Sequence, residues 1–150
     1  MLHIMNLKLT IELVPSTSWC TNLRSLLPKS KWDELRKQCY RDANYCCEIC
    51  SGKGTKHPVE CHEVWEYDDE NHIQKLKRLI ALCPKCHTVK HIGKASVAGK
   101  FDSAVLQFMR VNQCDHDMAM SYIRKRFVKY GERSRHQWEL DLGELEEFRK

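Results

Sequence analysis

The sequence predicts an α+β fold. At its centre a β-hairpin and a short helix are pinned together by four cysteines; a strand and a basic helix precede them, and a helical extension follows. Three observations predict it. Two Cys-x-x-Cys pairs, Cys47–Cys50 and Cys83–Cys86, stand 32 residues apart. The chain between them alternates apolar and polar residues in two runs, the period of a strand with one buried face. Outside them, apolar residues recur at helical spacing behind capping residues.

Taken in order, Leu7 to Val14 alternates and is stopped by Pro15, which reads as a strand. Ser16 to Pro28 is turn-rich. Ser30, with Asp33 three residues on, reads as the N-cap of a helix running to about Ala43. Its apolar side holds Trp32, Leu35, Cys39 and Tyr40, and Lys31, Arg36, Lys37 and Arg41 lie largely elsewhere. Asn44 to Gly54 forms a cysteine knuckle, with Gly52 and Gly54 suited to its tight turn. Pro58 to Tyr67 alternates again, placing Val59, Cys61, Glu63, Trp65 and Tyr67 on one side and Glu60, His62, Val64 and Glu66 on the other. Asp68 to Asn71 turns the chain, and Ile73 to Leu82 returns as the second hairpin strand. Pro84 favours the start of a short helix through His91, on which His87 and His91 share a face at i and i+4. Beyond Gly99, Asp102 and Asp115 read as caps of two amphipathic helices; Gly131 is expected to break the second, and an acidic tail follows. The expected divisions are residues 1–45, 46–95 and 96–150.

Composition bounds the function. No stretch approaches the 18 or so apolar residues of a membrane span, and Met1 to Val14 has neither the basic head nor the cleavage site of a secretory signal. The expected location is therefore cytoplasmic. Nine cysteines without an export signal point to thiols and metal rather than disulfides. The net charge of +5 is unevenly spread. Residues 1–46 carry 7 basic and 4 acidic side chains, and residues 83–100 carry four lysines and no acid. The intervening 51–82, with 5 basic and 6 acidic side chains, is mildly acidic. Basic flanks around such a centre suit a partner whose phosphates are gripped at the rim.

Cys47, Cys50, Cys83 and Cys86 supply the four sulfurs of a closed tetrahedral site, so structural Zn2+ is expected there. A redox pair or an iron–sulfur cluster are the competing uses of such cysteines. Cys46 offers an alternative first ligand. Cys20, Cys39 and Cys114 read as small buried hydrophobes, and His3, His57, His72, His116 and His136 as surface residues.

Cys47-x2-Cys50, a histidine in the first hairpin strand and Leu82-Cys83-x2-Cys86-His87-x2-Lys90-His91 together resemble the zinc-stapled HNH endonucleases of phages and bacteria. The resemblance spans roughly residues 40–95. It implies a ββα-metal core and hydrolysis of phosphodiester bonds, usually in DNA, with a catalytic divalent cation (Mg2+, Mn2+ or Ni2+). It makes His62 the general base, and His87 and His91 ligands of that cation. Lys90, Lys94 and Arg78 fall to the nucleic acid; Arg78 stands near the place of the family's middle asparagine. Cys61 occupies the position of a cation-binding Asp or His, so Glu60, Glu63, Asp68 or Asp69 is expected to substitute. These departures keep a second reading open, a catalytically inactive zinc module that binds nucleic acid or protein.

Overall fold

The computed structural model describes residues 6–19 and 21–150; His3 and Cys20 lie outside them. The chain is α+β, with a three-stranded sheet and helices packed on it. In order it forms α1 (Leu23–Leu26), α2 (Lys29–Asp42), β1 (Glu60–Asp68), β2 (Ile73–Leu82), α3 (Pro84–Lys90), α4 (Ile92–Val97), α5 (Phe101–Asn112), α6 (His116–Arg133) and β3 (Glu139–Asp141). Short 3-10 turns lie at Ser16–Ser18 and Gly143–Phe148.

β1 and β2 form the expected antiparallel hairpin, with His62 opposite Ile80. Between Val64 and Trp65 the register shifts, because Val64 pairs with Arg78 while Trp65 pairs with Leu76. The extra residue on β2 is a bulge, which bends the strand and adds local twist. The two faces of the hairpin bury different clusters. Trp65 and Tyr67 pack with Leu23, Leu27 and Leu142; Ile80, Leu82 and Val64 pack with α3, α5 and α6.

Residues 7–14 are not a strand, and the N-terminal strand of the expected fold is corrected. The segment bends at Lys8 and Leu9 and pairs with no strand; its backbone bonds are made by helix side chains. Leu9 N–H donates to Asn112 Oδ1 and Leu9 O accepts from Asn112 Nδ2, both at 2.9 Å. Ile11 N–H donates to Tyr122 Oη at 2.9 Å, and Ile11 O accepts from Arg126 Nε at 2.8 Å. Leu9 and Ile11 are wholly buried. Alternation reports an extended chain with one buried face; it does not say whether a strand or a helix pair covers that face.

Other expectations shift by a turn. α2 begins at Lys29 behind Pro28, so Ser30 lies inside the helix. Asp33 bonds Lys29 and Arg36 rather than closing a capping box. Asp102 falls in the first turn of α5 behind Lys100. Asp115 does cap α6, accepting from Met118 N–H at 2.8 Å. Gly131 does not break α6, which continues to Arg133; a helical glycine costs only about 1 kcal/mol against alanine, and packing absorbs it. The segment behind α6 is not wholly helical either, since β3 joins the sheet parallel to β2 through Ile73–Glu139, Gln74–Leu140 and Lys75–Asp141. Three residues are too few to show a strand period.

Candidate metal centres

The first centre joins the knuckle after α2 to the N-terminus of α3. The knuckle is a tight turn, with Asn44, Tyr45 and Ser51 all at positive φ. Glu48 fastens it to β2: its N–H donates to Ala81 O at 2.9 Å, and its carboxylate accepts from Ala81 N–H at 2.7 Å. Gly54 is held by close approach. A Cβ there would lie 2.7 Å from Pro84 Cδ and still nearer the His57 carbonyl oxygen.

Within this frame Sγ of Cys47, Cys50, Cys83 and Cys86 all lie within 4.8 Å of one another, and Cys50 Sγ is 3.6 Å from Cys83 Sγ. Four sulfurs at about 2.3 Å from a tetrahedral ion are spaced about 3.8 Å apart, so the cluster could hold a metal and is compatible with structural zinc. Each sulfur also accepts an N–H. Cys50 N–H points at Cys47 and Cys86 N–H at Cys83, both at 3.5 Å, Gly52 N–H at Cys50 at 3.4 Å, and Gln107 Nε2 at Cys86 at 3.3 Å. Such donors favour thiolates, the form that ligates metal. The neighbouring Cys47 and Cys86 thiols move apart: the bond from Cys86 holds Cys47 well down against burial, and the Cys86 thiol is itself pushed up. Cys46 stays outside the set.

The second centre lies where β1 faces α3. His62, His87 and His91 bring ring nitrogens within 4.8 Å of one another. Ring centroids of His62 lie 5.2 Å from His87 and 5.0 Å from His91, both edge-on. His87 Nε2 and His91 Nε2 face each other at 3.0 Å. Nitrogens about 2.1 Å from one ion and roughly at right angles are separated by about 3 Å, so the pair is spaced as ligands are. His87 Nδ1–H donates to Glu60 Oε2, which fixes the tautomer and leaves Nε2 free to ligate. Glu60 Oε1 accepts from His57 Nε2 at 2.7 Å. Burial, reinforced by the neighbouring His91, His87 and Lys90, pushes His62 down to about 2; its imidazole is neutral, as a base or ligand must be.

Of the four acids expected to replace the residue at Cys61, only Glu60 reaches this centre. Glu63 lies on the other face and accepts from Leu23 N–H at 2.7 Å. Asp68 accepts from the N–H groups of Glu70 and Asn71 in the hairpin turn. Asp69 is bidentate to Arg133 at 2.8 and 3.0 Å. Lys90 is also corrected as a nucleic-acid contact: its ammonium is buried and donates to Thr10 and Glu12 at 2.9 and 3.1 Å. Arg78 is tied to Glu48 at 3.3 Å. Lys94 is exposed and makes no ion pair among the described residues.

Sequence reasoning missed the bond from His57, read as a surface residue, to Glu60, and it missed Gln107. Glu60 itself could be found, since it lies two residues before His62 and therefore on the same strand face, and it stood among the four expected acids. Gln107 could not, because nothing local ties α5 to a sulfur 21 residues earlier.

Family models, curated proteins and solved structures were compared with this chain, and none matches it. Among the described residues no helix is long and apolar enough to cross a membrane.

Proposed function

We propose that the chain is a metal-dependent endonuclease of the HNH kind, hydrolysing phosphodiester bonds of nucleic acid, with DNA the expected substrate. The observation that carries this reading is the convergence of His62, His87 and His91 on one point beside a four-sulfur staple. A strand histidine and two histidines one helical turn apart are far separated in sequence, and the hairpin-to-helix frame alone makes them neighbours.

In this reading His62 is the general base that takes a proton from the attacking water, and its neutral ring is ready to accept one. The arriving phosphate brings negative charge next to the imidazole, which raises its basicity from the low value set by burial. His87 and His91 present lone pairs to a divalent cation, and Glu60 keeps the His87 ring turned toward it. Such a cation, when bound, supplies positive charge for the scissile phosphate and the leaving oxygen. Lys94, which is exposed, is the lysine this reading gives to the strand's phosphates.

Plasmid nicking is the direct test, run with Mg2+, Mn2+ or Ni2+ on the zinc-loaded chain. His62→Ala should lose cleavage by a factor of about 100 or more while keeping zinc content and fold; equal cutting by parent and variant overturns the assignment. One feature favours the inactive-module reading: a soft Cys61 thiol stands where a hard oxygen or nitrogen ligand is expected. That reading predicts binding without hydrolysis in every metal.

A further inference from the structure

Beside the imidazole cluster lies a groove of about 640 Å³, within the 300–1,000 Å³ or so of ligand-sized sites. His91 belongs to both, lining the groove together with Lys94, Trp19, Tyr130, Phe127 and Val97. Trp19 is 61% exposed and Val97 91% exposed, so the mouth is apolar and open. The indole is nonetheless fixed: Nε1–H donates to Val14 O at 3.1 Å, and the ring stands nearly parallel to Tyr130, 22° between planes and 6.4 Å between centroids.

We propose that this groove receives an unpaired nucleobase of the strand whose phosphate sits at the imidazole cluster. The occupant follows from three features. Aromatic faces stack on any base regardless of its sequence. Lys94, exposed and free of ion pairs among the described residues, complements the phosphate beside that base. The groove is continuous through His91 with the site assigned to the phosphodiester. A duplex keeps its bases stacked inside and cannot offer one without extruding it, so single-stranded or locally opened substrate is preferred. This inference rests on the nucleic-acid reading of the site and does not require that the site hydrolyse.

The test is equilibrium binding of the full, zinc-loaded chain to a short single-stranded oligonucleotide with no other divalent cation added. The same oligomer carrying abasic positions and its duplex are the comparisons. The single strand is expected to bind more tightly than either. Trp19→Ala and Tyr130→Ala should each weaken single-strand binding roughly tenfold, and Trp19→Phe should restore most of it. Lys94→Gln should lower the slope of log affinity against log salt by about 0.7. Equal affinity for intact, abasic and duplex forms overturns the proposal, as does indifference to both aromatic variants in chains that retain their fold by circular dichroism. Trp19-dependent binding in a chain that cuts nothing upholds the groove and sinks hydrolysis. Full-rate duplex cutting by Trp19→Ala does the reverse.

Discussion

Glu60 places one carboxylate oxygen on His57 and the other on His87, with the remaining face of His87 turned to His91. The carboxylate therefore selects which nitrogen of His87 carries the proton. A neutral amide keeps the shape but accepts more weakly and can present its NH2 to the ring instead. Glu60→Gln is expected to weaken Mn2+ or Ni2+ binding at the imidazole cluster by about 10- to 100-fold, with zinc content of the cysteine site unchanged. Titration calorimetry on the zinc-loaded protein reads both, and an unaltered affinity would falsify the positioning role of Glu60. The cluster shows how much of a site a sequence can carry at this scale. The i, i+4 pair of His87 and His91 and the strand parity of His62 were legible because both follow from local periodicity. The burial of Lys90 was not, because its partners Thr10 and Glu12 lie about 80 residues away in a segment without regular structure.

At the scale of elements, the hairpin is fastened at both ends by different chemistry. At the open end the knuckle turn brings the Gly54 Cα against Pro84 and the His57 carbonyl, with no space for a methyl group. Gly54→Ala is expected to lower stability by about 1–3 kcal/mol and to loosen zinc, read by urea unfolding and by release to a chromogenic chelator. At the closed end Asp69 is gripped by Arg133 and Lys129 of α6. The Arg133 guanidinium holds the Asp69 carboxyl at about 2, below its usual 3.8. A depressed carboxylate contributes stability that is present above the unfolded value and lost as pH falls from about 4 through about 2. The side chain is 42% exposed, so after solvent screening the contribution is about 0.5–1 kcal/mol. Asp69→Asn should therefore destabilise by that amount, uniformly from pH 5 to pH 9; a penalty that changes across that range contradicts the assignment. The hairpin and α3 were readable because their signals lie within a dozen residues. β3 was not, since its three residues owe their conformation to the edge of β2 rather than to a pattern of their own.

For the whole molecule, the sulfur site is a junction of segments distant in sequence. Cys47 and Cys50 come from the knuckle, Cys83 and Cys86 from the end of β2 and the start of α3, and Gln107 of α5 reaches in to donate to Cys86. Cys47, Cys83 and Cys86 belong to the same buried cluster as Leu9, Ile11, Phe108 and Ile123. Metal binding there would therefore be coupled to folding of most of the chain. Removing zinc with a strong chelator is expected to lower the melting temperature by about 20 °C or more, given a contribution near 10 kcal/mol. Acidification below about pH 5 should release the ion and unfold the chain together, because the sulfurs must be deprotonated to ligate. Circular dichroism melts, with and without chelator, measure the first; simultaneous zinc release and loss of ellipticity measures the second.

The side-chain tether of residues 9 and 11 has a consequence for deuterium labelling. In a sheet ladder, a backbone amide escapes when its neighbouring strand frays. Here the protons on Leu9 and Ile11 are held by Asn112 and Tyr122, one from each of two successive helices. Their replacement by deuterons must await separation of the segment from α5 and α6, so two amides in a stretch without regular structure become slow, native gauges of when that helical pair lets go.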